Sequence, residues 1–149
     1  MKVKIKKLHK NAKVPFKTYA NDFCYDVVAT SCVEVAHNVY KYGTGLAFQI
    51  ERGDDEKDYN KILSIDFRCR SSVWKTGMVL SNACGTIDEA YTGEVSAVFY
   101  HVMPNMPKYE VGDKIGQIKI GFTCPAEFVV VDDLAETDRG DGAYGSTGK

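Results

Sequence analysis

Apolar and polar residues alternate with a period of two along most of this chain, the pattern of strands with one covered face. Val3 and Ile5 stand between lysines, and Val33 and Val35 between polar residues. The same alternation runs through Leu46, Phe48 and Ile50, through Ile65, Phe67 and Cys69, along 95–102, through Ile118 and Ile120, and over 128–131. Gly, Asn, Asp and Pro gather between these runs, where turns require them. No long stretch carries helical spacing. Short strands at these intervals predict an all-β sandwich, barrel or jelly roll.

Two segments interrupt the pattern. Residues 52–61 are polar and uneven in charge and read as a solvated loop between strands. From Asp138 onward only Ala143 and Tyr144 stand among Gly, Ser, Thr and charged residues. Such a tail has nothing to pack itself with and orders only when something else orders it. The organisation is therefore one domain, a β core over 1–137 with a glycine-rich segment over 138–149 that belongs to the same domain.

Composition narrows the function classes. The chain has 149 residues, 44% of them hydrophobic and 26% charged, as in ordinary globular proteins. A net charge of −1 supplies no general attraction to nucleic acid or to an anionic membrane. An anionic ligand must then be held by a few placed cations, and Arg52, Arg68, Arg70 and Arg139 are the only arginines beside fifteen lysines. The lysines near the N-terminus read as the charged solvent face of a protected strand. Five scattered cysteines without a CxxC pair indicate neither a disulfide framework nor a structural zinc site. The opening MKVKIKKLHK lacks the apolar region of a signal peptide, and no apolar run approaches the roughly 20 residues of a membrane span, so the expected location is cytoplasmic, or the host cytoplasm for a viral protein.

Several polar clusters carry candidate chemistry. Residues 85–94, Gly-Thr-Ile-Asp-Glu-Ala-Tyr-Thr-Gly-Glu, place acids, an aromatic ring and two turn glycines between strand-like runs. That is the make-up of a tight hairpin whose backbone reads a flat ligand while Asp88 works beside it. Arg70-Ser71-Ser72 ends a β run with a guanidinium fork and two hydroxyls, donors suited to a polyphosphate, although a strand end with a serine turn has the same composition. Arg139 to Thr147 combines a cation, two hydroxyl residues and glycines that let backbone amides approach an anion, or is a polar tail. Gly112-Asp113 reads as a hairpin turn that sets Gln117 at the edge of the next strand. Asp26 either caps a turn or holds a metal through its waters.

In this order the clusters resemble the five motifs of the homotrimeric dUTP pyrophosphatases (dUTPases). Residues 25–29 look like the first motif, 70–72 the second, 82–94 the third, 112–117 the fourth and 139–148 the fifth, so the resemblance covers nearly the whole chain. It implies a jelly-roll-like β-clip subunit in a homotrimer with three active sites, each shared among the chains. It also implies hydrolysis of dUTP to dUMP and pyrophosphate by in-line attack of water on the α-phosphorus, which supplies dUMP and keeps uracil out of DNA.

The roles follow by position. Asp88 becomes the general base. Tyr91 stacks under the deoxyribose and excludes a 2′-hydroxyl. Asn82 and the backbone of Gly85, Thr86 and Ile87 pair with the uracil edge. Arg70, Ser71, Ser72 and Gln117 hold the phosphates, and Asp26 touches the waters of a magnesium ion (Mg2+) carried mainly by the triphosphate. Tyr144 closes over uracil while Arg139, Ser146 and Thr147 grip the γ-phosphate, making the tail a lid. The chain departs from the family at Ala143 and Tyr144, where Gly and Phe are usual, at Cys69 for proline, at Trp74 for a small residue and at Gly116 for alanine. The rival readings are a dCTP deaminase-like enzyme and a catalytically silent trimeric regulatory module of the same fold. No nucleic-acid or membrane partner is expected.

Overall fold

The structure, a computed structural model, describes residues 1–52 and 61–143. Among the described residues nine strands form two antiparallel sheets. They are β1 (Lys2–Lys7), β2 (Tyr25–Val28), β3 (Ser31–Ala36), β4 (Val39–Glu51), β5 (Ile62–Arg68), β6 (Met78–Leu80), β7 (Gly85–Asp88), β8 (Glu94–His101) and β9 (Lys114–Thr123). One sheet runs β1-β4-β8-β6, with β3 also on β4; the other runs β2-β9-β5-β7. The all-β, jelly-roll-like expectation holds. The sole described helix is the 3₁₀ turn Ser71–Lys75.

The inward side chains of both sheets meet in one aromatic core. Phe67 of β5 packs edge-on against Phe99 of β8 at 6.4 Å between ring centroids, joining the sheets. Phe99 in turn meets Tyr42 at 5.8 Å and Tyr109 at 5.4 Å. Such edge-to-face pairs add to what area burial alone provides. The Tyr42 hydroxyl donates to the Tyr109 carbonyl at 2.7 Å, so the one polar atom of that buried ring is satisfied.

Gly116 sits where this core is tightest: a Cβ there would overlap the Phe67 ring. The family's usual alanine is therefore incompatible with Phe67 as it lies here. Gly116→Ala is expected to cost about 1–3 kcal/mol through overpacking. A lowered Tm supports this packing; an unchanged Tm means that Phe67 can move aside freely.

Three sequence expectations change. The run 128–131 is not a strand: Phe128 is 96% and Val130 99% exposed, because no strand among the described residues pairs with it. Residues 85–94 do not form a ladder hairpin. β7 pairs with β5 in one sheet and β8 with β4 and β6 in the other, so residues 89–93 cross between sheets. The Gly112-Asp113 turn is not a hairpin either, since it docks on Ala29 beyond β2, with Ala29 N–H donating to the Asp113 carbonyl at 2.9 Å. It leads into β9, which lies between β2 and β5, and Gln117 falls near the start of that strand. β1, by contrast, is an edge strand with its lysines outward, as expected.

Candidate active site

Two polar centres emerge, one at each end of the four-stranded sheet. The first is built around Asp26, only 5% exposed. Register places Asp26 opposite Gln117 on β9, and Gln117 opposite Arg68 at the end of β5, two residues before Arg70. One Asp26 oxygen, Oδ1, accepts from Arg70 Nε at 3.1 Å and Gln117 Nε2 at 3.0 Å. The other, Oδ2, pairs with Lys114 Nζ at 2.9 Å. Ser72 Oγ stands 3.5 Å from Arg70 Nη1. The residues expected from three separate motifs therefore meet here, apart from Ser71, whose side chain lies exposed beside them.

Lys114 was not anticipated. Strict alternation puts residues 114 and 117 on opposite faces of a strand. A β-bulge opposite Val27 and Val28 adds one residue to β9, which brings both to Asp26. At the bulge Ile115 and Gly116 are buried in succession, a departure from alternation that appears only in the structure. The Lys114 ammonium also lies 4.8 Å over the Phe16 ring, and Phe16 bridges to Asp26 through its backbone.

Burial pushes the Asp26 carboxyl up, but the hydrogen bonds from Lys114 and Gln117 and the charges of Arg70 and Lys114 outweigh it, leaving it below the ordinary 3.8. The sign of the linkage follows. A carboxyl lowered by folding adds stability that is present above 3.8 and is lost as pH falls through its folded-state value. Asp66 adds in the same direction, with Lys119 Nζ at 2.8 Å as its main cause. Acid titration of unfolding is expected to show stability falling below about pH 4, with a shallower fall in Asp26→Asn. An identical slope in the variant would contradict the arrangement.

The second centre lies along β7. Because β7 is the outer strand of its sheet, the N–H and C=O groups on its free edge have no ladder partner among the described residues. That edge lines a cleft against β8, with one end of about 200 Å³ at Asp88, Tyr91 and Glu94 and another of about 160 Å³ at Asn82, Gly85 and Leu80. Thr86, Ile87 and Ser96 line both ends; Ser96, from β8, was missed because it reads as one more polar step in an alternating strand. The sheet crossing found above is what opens the cleft. A closed hairpin would have consumed the edge groups.

The turn before β7 holds Ala83 at φ 56°, in the left-handed region that non-glycine residues seldom occupy. It brings the Asn82 side chain against Gly85. At the far end, the Asp88 carbonyl accepts from Tyr91 N–H at 3.0 Å and closes a turn. The Tyr91 hydroxyl donates to the Glu94 carbonyl at 3.1 Å. Its ring covers Gly93 so closely that a Cβ there would stand 2.5 Å from that hydroxyl, so Gly93 is what lets the ring lie flat over the turn. Asp88 itself is exposed at the mouth.

The dUTPase family model matches residues 65–148, more than half of the chain. Deoxyuridine 5'-triphosphate nucleotidohydrolase of Nautilia profundicola is 33% identical, with 100% of both chains covered. The chain belongs to the dUTPase family. The nucleotidohydrolase of Helicobacter pylori strain P12 is 32% identical over 99% of this chain and 97% of its own. Among solved structures, the dUTPase of Staphylococcus bacteriophage 80alpha with dUPNHPP has the same fold, with a TM-score of 0.75 at 21% identity and 99% of each chain covered. A mutant dUTPase of phage phi11 of S. aureus, whose structure concerns a structural Mg(II) ion, gives 0.68 at 19% identity, covering 91% of this chain and 100% of its own.

Within the dUTPase fold the remaining expected residues are dispersed. Arg139 is exposed, its Nε donating to the Gly142 carbonyl at 3.0 Å inside the tail. Tyr144, Ser146 and Thr147 lie outside the described residues, as does 53–60. No helix among the described residues is long and apolar enough to cross a membrane.

Proposed function

We propose that the chain hydrolyses dUTP to dUMP and pyrophosphate, with the β7 cleft reading uracil and Asp88 activating water. The free edge of β7 with Asp88 at its end carries this reading. An unpaired strand edge offers alternating donors and acceptors at fixed spacing, as a complementary base does. Fixed polar groups in a narrow cleft reject cytosine by mismatch, the strong form of discrimination. Tyr91, laid over Gly93, presents a flat face for deoxyribose.

In the reaction, Asp88 takes a proton from water as its oxygen bonds to the α-phosphorus. The bond from the α-phosphorus to the bridging oxygen breaks and pyrophosphate leaves. Arg70, Ser71, Ser72 and Gln117 bind the phosphates, with Lys114 as a further cation beside them. Arg139, Ser146 and Thr147 hold the γ-phosphate and Tyr144 covers uracil when the tail closes as a lid.

The residues present fit a magnesium ion only at a distance. Both Asp26 oxygens already accept from protein donors, and no cluster of three or more His, Cys, Asp or Glu able to hold an ion occurs among the described residues. An ion carried by the triphosphate, with Asp26 reaching its waters, suits that donor set. When bound it would neutralise phosphate charge and orient the α-phosphate.

The two centres support shared sites in a homotrimer. Asp88 stands opposite Ser64 and Gln117 opposite Arg68, four residues further along β5 and two strands across. Strand geometry puts them about 16 Å apart, further than the α-phosphorus lies from the terminal phosphates of one nucleotide. The base of one chain therefore serves the phosphate cluster of another. The exposed run Phe128 to Val131 also offers an apolar surface that another copy could cover.

A panel of dUTP, dCTP, dTTP and UTP scored for pyrophosphate and for ammonia tests the reading. Pyrophosphate from dUTP alone is expected. Ammonia from dCTP would favour the deaminase-like reading, and silence on all four the regulatory module; neither is favoured by the comparisons.

A further inference from the structure

Asp88 has no hydrogen-bond or ion-pair partner for its side chain among the described residues, so its aim depends on the backbone that carries it. β7 fixes that backbone on one side through the Asp88–Ser64 pairing. Beyond Asp88 the chain leaves the sheet, and Glu89 is the first residue of the crossing.

The Glu89 carboxylate is bound three times. Oε1 accepts from Arg52 Nε at 2.9 Å, and Oε2 accepts from Arg52 Nη2 at 2.7 Å and from Leu63 N–H at 2.9 Å. Arg52 Nη2 also donates to the Lys61 carbonyl at 2.7 Å. This planar fork therefore ties three places together: the end of β4, the start of β5 and the turn that follows Asp88. A two-pronged guanidinium–carboxylate pair fixes orientation as well as distance, which a lysine does not. The hydrogen bonds from Arg52, then that from Leu63, hold the Glu89 carboxyl below its ordinary value, so the pair stays ionised through neutral pH.

The sequence showed these residues only as a loop boundary and as one of several acids. Their effect at the site is twofold. They hold Asp88 by its own backbone neighbour, and they cancel a carboxylate charge beside the place where a polyphosphate must enter.

We propose that Glu89 and Arg52 are positioning residues for the water-activating base, acting through the backbone of Asp88 without touching substrate. This rests on the reading of Asp88 as the base.

The test compares Glu89→Ala, Arg52→Ala, the double variant and Arg52→Lys in the full-length protein, assayed with dUTP well below each Tm. Glu89→Ala is expected to lower kcat about 10- to 100-fold, as small misplacements of a reacting group do, with KM within about threefold. The double variant should lose no more than the single ones, because both break one clamp. Arg52→Lys keeps the charge but not the fork and should lower kcat with Tm retained, which serves if Glu89→Ala does not fold. A folded Glu89→Ala or Arg52→Lys with wild-type kcat, or losses that simply add, would overturn the proposal. A merely structural role would move Tm and leave kcat per folded site unchanged. Asp88→Asn run alongside separates the two readings: its activity decides the base, and the clamp variants decide the clamp.

Discussion

Asp88→Asn is expected to lower kcat for dUTP by about 10²- to 10⁴-fold, the usual contribution of general-base assistance, while KM changes little. The amide is nearly isosteric with the carboxylate, and Asp88 is exposed at the end of β7 with no side-chain partner among the described residues. Its backbone pairing with Ser64 and its carbonyl bond to Tyr91 survive the change. The loss should therefore appear in turnover, with Tm unchanged. A variant with near-normal kcat would remove Asp88 from its assigned role.

The second large effect concerns assembly. Arg70→Gln and Asp88→Asn should each be nearly inactive alone, since one lacks the phosphate fork and the other the base. Coexpressed in equal amounts with different tags and isolated as mixed oligomers, they should recover activity. A shared site is intact whenever the chain giving Asp88 and the chain giving Arg70 are each unmutated at that position, which holds for about one site in three of a mixed trimer. No recovery above the two parents would mean that base and phosphate cluster belong to one chain. That result would contradict the separation of about 16 Å drawn from the strand ladders.

The centre around Asp26 was the more legible of the two. Asp26, Arg70 and Gln117 are each polar residues at a strand start, strand end or turn, where local chemistry singles them out. What alternation missed was Lys114, because a bulge changes the face that a residue occupies without leaving a mark in hydrophobic periodicity. The β7 region was legible in residue content and misread in topology. Gly85 to Glu94 has the composition of a hairpin, and only the pairings with β5 and with β4 reveal that its halves lie in different sheets. Strand pairing is long-range, so a turn-like composition does not say which partners the flanking strands find.

The run Phe128 to Val131 shows the opposite failure. Its residues have the propensity and pattern of a strand, but a strand forms only where a partner edge lies alongside. Among the described residues this run finds none, and it remains exposed. The Arg52–Glu89 clamp was invisible for a further reason. Residues 37 apart in sequence meet because β5 returns between them, and a single ion pair leaves no periodic trace.

The most direct test of the central claim is hydrolysis of dUTP in ¹⁸O-labelled water, followed by ³¹P NMR and mass analysis of the products. Attack on the α-phosphorus by water that Asp88 activates predicts dUMP carrying the label and pyrophosphate free of it. Label in pyrophosphate, release of inorganic phosphate in its place, or no turnover of dUTP would contradict the account.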